Sequence, residues 1–171
     1  MQTAKKIIIF ILLLIVAITF VVATLFINNF GSLKYLEIVE KYCKEYNVDV
    51  YHALATIEVE SAGNASATSR VGAVGLMQLM PDTATWLADK IGVKIVDLYE
   101  ADTNICLGVA YIAYLNERFS GDMVFCAYNA GEGKAREWIS NGGIIEYNET
   151  KHYVRKINAT IKKLKNYIYL Y

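Results

Sequence analysis

Histidine is almost missing from this chain, present only as His52 and His152, and cysteine occurs three times, at Cys43, Cys106 and Cys126. Their spacing is not that of a zinc site, so no metal centre or other cofactor is expected. No Gly-x-Ser-x-Gly elbow is present, and His52 turns away from Ser61 on its helix, which excludes a Ser-His hydrolytic triad. An odd number of cysteines leaves at least one unpaired. All three lie in apolar helical contexts, which reads as buried thiols; one disulfide plus a free thiol stays open. Excess positive charge is also missing. Lys5 and Lys6 are the only charges before Lys34, so 15 basic residues face 17 acidic ones beyond them. A net charge of −2 there gives no footprint for nucleic acid. There is one proline, Pro81, and no internal repeat or low-complexity tract. Strand alternation is absent apart from the stretch from Gly143 to Tyr147.

What is present begins with a run of 21 uncharged, mostly apolar residues, 7–27. That length spans the ~30 Å of hydrocarbon in a bilayer. A cleaved signal has a shorter apolar core, about 7–15 residues, ending in a small-x-small site. Here the run ends Thr24-Leu25-Phe26-Ile27-Asn28-Asn29, without such a site and without a cysteine for lipid attachment. With Lys5 and Lys6 ahead of it, the positive-inside rule keeps the N-terminus in the cytoplasm. The expected organisation is a cytoplasmic N-terminus (1–6), a single transmembrane helix (7–27), a short linker (28–33) and an outer domain (34–171).

The outer domain reads as mainly α. Apolar spacing and punctuation mark helices over Lys34 to Tyr46, Val50 to Ser61, Asp82 to Ile91, Asp102 to Phe119, Asp122 to Tyr128, Gly133 to Ser140 and Thr150 to Tyr169. In the second of these, Val50, Ala53, Leu54 and Ile57 share a face and Glu60 falls at its edge. Ala62-Gly63-Asn64 offers a left-handed cap, which puts Glu60 in the last turn. The negative helix end and apolar neighbours both favour a protonated carboxyl there, as a general acid requires. Glu58 competes for the role, and the helical angle separates the two poorly. From Ser61 to Met80 there is no other carboxylate. Small residues at Gly72, Ala73 and Gly75 let backbone approach a ligand, and Pro81 opens the next helix.

The chain resembles the lytic transglycosylases of the soluble bacterial type, relatives of goose-type lysozyme. The resemblance rests on Glu60-Ser61, Ser69, Gly72-Ala73-x-Gly75-Leu76-Met77-Gln78-x-Met80-Pro81, Asn104-x-x-x-Gly108-x-x-Tyr111, Ala127-Tyr128-Asn129-Ala130-Gly131 and Glu149-Thr150-x-x-Tyr153-Val154. Order and spacing match over roughly residues 34–165. Each motif is weak alone; the set is specific, and it chooses Glu60 over Glu58. The resemblance implies a lysozyme-like fold and cleavage of peptidoglycan glycan strands between N-acetylmuramic acid and N-acetylglucosamine. It implies Glu60 as the single acid/base, with the substrate's own 6-hydroxyl as nucleophile and a 1,6-anhydro end as product. Ser69 and Gln78 would bond the sugar, Met80 would form an apolar wall, and Tyr128 and Asn129 would line the site with the Tyr128 hydroxyl near Glu60. Glu149 would support the site from deep within it. Relatives often carry a large residue where this chain has Gly63, which alters one groove wall. A hydrolytic muramidase and a non-catalytic glycan-binding module are the alternatives.

Six residues between the apolar run and the first helix reach at most ~20 Å. Such a tether implies an enzyme held on the outer face of the cytoplasmic membrane, acting on nascent glycan beside a cell-wall synthase or an envelope-spanning machine. The basic segment Lys151, Arg155, Lys156, Lys162, Lys163 and Lys165 reads as a solvated helix face, with attraction to anionic wall polymer or lipid as the weaker alternative.

Overall fold

The computed structural model describes residues 2–27 and 30–168. They divide into two compact units, the first ending at Gly31 and the second beginning at Ser32. The first is one helix, α1 (Gln2–Ile27). Its side chains are described from Lys5 to Val21, all exposed and almost all apolar. Among the described residues, no helix is long and apolar enough to cross a membrane; the described side chains stop six residues before α1 ends.

The second unit opens within a 3₁₀ turn (Gly31–Tyr35) and continues through seven helices among the described residues. These are α2 (Leu36–Tyr46), α3 (Val50–Ser61), α4 (Pro81–Ile91), α5 (Ala101–Asn116), α6 (Asp122–Ala130), α7 (Glu132–Ser140) and α8 (Asn148–Ile168). The expected helices of the outer domain all form, with ends shifted by a few residues; the expected end of the last, Tyr169, and the start of the expected linker at 28–29 lie outside the described residues. No named strand occurs among the described residues. The expectation of strand character at Gly143 to Tyr147 fails. Gly142 and Gly143 take left-handed φ of 82° and 79°, and the stretch finds no partner edge. An extended segment without a neighbour cannot satisfy its backbone as a sheet. Tyr147 instead packs edge-on against buried Trp138, with centroids 5.2 Å apart.

Helix α5 is the central post. From Thr103 to Ala110 every residue is buried, as are Ile112 and Leu115. A helix apolar on all sides must be enclosed, and α2, α3, α4 and α6 all pack on it. Helix α3 rests against α8, whose buried Tyr153, Val154, Ile157 and Leu164 face inward. The basic residues of α8 are exposed on its other side. All three cysteines are buried and free. The thiols of Cys43 and Cys126 are pushed up to about 12 and about 11, chiefly by burial, so they stay protonated.

Candidate active site

The local reason for the site's position is how α3 starts and stops. Asp49 caps the start, its carboxylate accepting from the Tyr51 amide at 2.7 Å. The helix ends at Ala62 in a left-handed conformation (φ 51°), its N–H returning to the Glu58 carbonyl at 3.1 Å. The cap residue is thus an alanine, followed by a second left-handed residue, Gly63. Glu60 therefore sits in the final turn, half-buried.

Glu58 and Glu60 meet different fates there. Glu58 Oε2 accepts the Ser32 N–H at 3.0 Å and so caps the 3₁₀ turn. The Glu60 carboxyl is raised from its ordinary value of 4.5 to about 7, first by burial. The nearby Tyr153 hydroxyl pulls the other way. That hydroxyl is buried and makes no hydrogen bond of regular geometry, so it faces Glu60 without a firm partner. Burial and the Glu60 charge hold the Tyr128 and Tyr153 hydroxyls well above 10, so both remain donors. Among the described residues no other carboxylate shifts the Glu60 carboxyl.

The loop from Ala62 to Met80 holds its form through polar side chains. Isolated antiparallel bridges join Thr68 to Val74 and Val74 to Leu79. Ser69 Oγ accepts the Ala73 N–H at 2.9 Å and closes the turn. Gln78 Nε2 donates to the carbonyls of Ala67 (3.2 Å) and Gly75 (2.8 Å). The Gln78 backbone lies at φ 47°, a left-handed conformation uncommon outside glycine and often found at functional positions. Asn104, fully buried in α5, completes the set. Its Oδ1 accepts from Met77 N at 2.8 Å, and its Nδ2 donates to the Val74 and Leu98 carbonyls at 3.0 and 2.8 Å. Gly75 (φ 80°) lies against that amide, where a Cβ would collide with it. Gly108, one helical turn beyond Asn104, leaves the room that Met77 fills. Ser61 Oγ lies 2.8 Å from the Leu76 carbonyl and ties the end of α3 to the same loop.

Beside the loop is a cleft of about 280 Å³ lined by Gln78, Met80, Thr83, Tyr111, Tyr128 and Asn129, among others. The Tyr128 ring lines it while the Tyr128 hydroxyl donates to the Met77 carbonyl at 2.7 Å. Asn129 Oδ1 accepts from Thr150 Oγ1 at 2.8 Å. Of the residues singled out from sequence, the structure thus brings Gln78, Met80, Tyr128 and Asn129 together, with Glu60 coupled electrostatically to Tyr128. Ser69 is half-buried and shapes the loop rather than lining the cleft. Glu149, expected deep in the site, is exposed in the first turn of α8. The next residue, Thr150, is buried and reaches Asn129. At Gly63 the Tyr35 hydroxyl donates to the backbone carbonyl at 3.3 Å, so an aromatic side chain reaches this point from the 3₁₀ turn. Sequence reading gave no role to Tyr153, Asn104 or Thr83, although the first two stand in the quoted motifs. Among the described residues no three His, Cys, Asp or Glu side chains gather as a metal site.

This constellation belongs to a recognisable class. The family described as Transglycosylase SLT domain matches residues 37–151, and the chain belongs to it. The soluble lytic murein transglycosylase of Salmonella typhimurium is 33% identical over 143 residues, 74% of this chain and 22% of that protein. Membrane-bound lytic murein transglycosylase C of Yersinia pestis is 28% identical over 169 residues, covering 78% and 47%. The structure of the 70 kDa soluble lytic transglycosylase of Escherichia coli superposes with a TM-score of 0.74 at 31% identity, over 78% of this chain and 24% of that one. A structure of the 70 kDa enzyme with bulgecin A gives 0.75 at 31% identity, covering 80% and 25%. The fold is the mainly helical, lysozyme-like fold of these proteins. The chain spans less than half the length of each of them.

Proposed function

We propose that this chain is a membrane-anchored peptidoglycan lytic transglycosylase in which Glu60 is the only acid/base. The observation that carries this reading is a single carboxyl raised to about 7 by burial, coupled electrostatically to Tyr128 of a polar-rimmed cleft, with no second acid among the described residues acting on it. Ordinary retaining glycosidases need two carboxyls about 5–5.5 Å apart. One carboxyl suffices where the substrate brings its own nucleophile. The protonated Glu60 gives its proton to the glycosidic oxygen as the bond from the muramic anomeric carbon breaks, and N-acetylglucosamine leaves as the alcohol. The Glu60 carboxylate then takes the proton of the muramic 6-hydroxyl as O6 closes on the anomeric carbon. A 1,6-anhydro ring results, Glu60 ends protonated, and no water is consumed. Tyr153, whose hydroxyl favours the ionised carboxyl, eases the half of the cycle in which Glu60 is charged. In the cleft, Gln78 keeps its side-chain oxygen free for the sugar, and Met80 and Tyr128 supply apolar faces. An inactive form of the Pseudomonas aeruginosa enzyme Slt carries a glutamate-to-glutamine change, in keeping with this role.

Residues 7–27 anchor the chain in the cytoplasmic membrane in this reading, with the catalytic domain on the wall side. There it meets newly made glycan, beside a wall synthase or an envelope-spanning machine. The exposed apolar side chains of α1 support the anchor. One preparation tests both parts. Membranes from expressing cells, washed in alkaline carbonate, should retain the protein and digest purified sacculi to fragments with anhydro ends. Fragments heavier by one water, with reducible muramic ends, would mean hydrolysis. Glycan binding without release would mean a binding module, and extraction by carbonate would remove the anchor from the reading.

A further inference from the structure

The cleft does not end at its own walls. Tyr111, which lines it, stacks with Tyr114 one turn along α5, centroids 6.3 Å apart and planes 17° apart. Tyr114 meets Trp86 of α4 edge to face at 4.8 Å. On α4, Thr83 lines the cleft, Trp86 follows three residues on and Lys90 four beyond, which keeps the three on one helix face. Trp86 is 41% exposed, although indole is a side chain that folding usually covers. Its position is nonetheless fixed. The Tyr114 hydroxyl donates to Glu132 at 3.0 Å, the Arg118 guanidinium lies 3.6 Å from the Tyr114 ring centroid, and Arg136 holds Glu132. Next to this strip is a second hollow, about 130 Å³, lined by Tyr46, Leu87, Lys90, Tyr114 and Glu117 among others. The Lys90 ammonium stands 5.8 Å from the Trp86 ring centroid and 5.5 Å from that of Tyr114, and it makes no ion pair among the described residues.

From this strip we infer a distal glycan subsite, centred on Trp86, that extends the cleft along α4 and α5. It rests on the glycan-cleaving reading above and deepens it by adding a length requirement. The cleft alone is small for a ligand pocket, which typically has about 300–1,000 Å³. A strand of β-1,4-linked N-acetylamino sugars that overruns it meets an aromatic face at the next stop. The C–H face of a sugar ring stacks on the indole, and Lys90 donates to an acetamido carbonyl, a hydroxyl or a stem carboxylate. Because Tyr114 holds Trp86 in place, little ordering is needed on binding. Sites of this kind prefer longer strands without changing the chemistry at Glu60.

The test uses the full chain in detergent micelles, carrying Glu60→Gln so that no probe is consumed. Calorimetry with the N-acetylglucosamine disaccharide and hexasaccharide should show the hexasaccharide binding roughly tenfold more tightly. Adding Trp86→Ala should erase that advantage and leave disaccharide affinity unchanged, whereas Trp86→Phe should keep most of it. Trp138, the only other tryptophan, is fully buried, so a fluorescence shift seen with the hexasaccharide alone reports Trp86. Equal hexasaccharide affinity in the parent and Trp86→Ala overturns the subsite, as does a loss shared equally by the disaccharide. If that happens while Glu60-competent protein still digests sacculi, only the subsite fails. If nothing binds and nothing is digested, the glycan-cleaving reading fails and takes the subsite with it.

Discussion

The loop from Ala62 to Met80 and the helices behind it are held together by different forces. Helices α3, α5 and α8 meet through side chains such as Leu54, Ile57, Ile105, Ile157 and Leu164, all fully buried. Each adds about 1.5–3 kcal/mol by burial and has several neighbours to share a loss. The loop has little regular pairing. Its shape depends on Ser61, Ser69, Gln78, Asn104 and Tyr128, each bonded to a backbone group. Apolar contacts are many and forgiving; polar ties are few and directional. The scaffold can therefore drift under substitution while the site cannot.

Glu60, at the junction of the two regions, gives the largest expected effect. Glu60→Gln should lower sacculus digestion on the order of 10²–10⁴-fold or more, while Glu58→Gln leaves turnover near wild type. The same variant separates activity from stability. In the unfolded chain Glu60 titrates near 4.5 and in the fold near 7, so folding opposes its ionisation. Below the lower value both states are protonated and nothing is lost. The cost builds between the two values and stays constant above the upper one. Urea melts at pH 8 should thus find Glu60→Gln more stable by up to about 3 kcal/mol, with no difference at pH 4. A variant that is inactive and also less stable at pH 8 would break the separation.

Next in size is Asn104→Ala. It strips partners from Met77 N and from the Val74 and Leu98 carbonyls, at about 1–3 kcal/mol for each group left buried and unpaired. A loss of roughly 3 kcal/mol in denaturant melts should accompany a drop in digestion larger than that of an apolar core variant of equal stability. Matching drops would mean the loop draws no special precision from its polar ties. The smallest effect is expected at Tyr153. Removing the hydroxyl in Tyr153→Phe takes away the contact that lowers the Glu60 carboxyl, so the alkaline limb of the pH–rate profile should move up from about 7. A downward move would assign that hydroxyl the opposite sign.

The helices were legible because their causes are local. Pro81 at the head of α4 and the left-handed cap that begins at Ala62 after α3 are signals that depend on near neighbours. Glu60 was set apart from Glu58 by its motif, but the contact that occupies Glu58 was not legible. That depends on Ser32, 26 residues earlier in the chain. The ties of Asn104 span up to 30 residues, so its place in the motif was visible while its task was hidden. Gly143 to Tyr147 shows the opposite error. The apolar residues Ile144, Ile145 and Tyr147 suggested a strand, but no edge lay beside them. Glu149 and Thr150 show how one residue of register exchanges an inward side chain for an outward one.

Met77 is gripped from two sides. Asn104 of α5 takes its N–H and Tyr128 of α6 donates to its carbonyl, while its side chain fills the space left by Gly108. A peptide clasped in this way gives the neighbouring cleft one resting shape, already set before any strand arrives. Glycan capture should therefore be a one-step encounter, its observed rate rising linearly with strand concentration and showing no plateau. Discrimination would then lie in which strands fit the waiting mould, and selectivity would change little with temperature-driven motion of the loop.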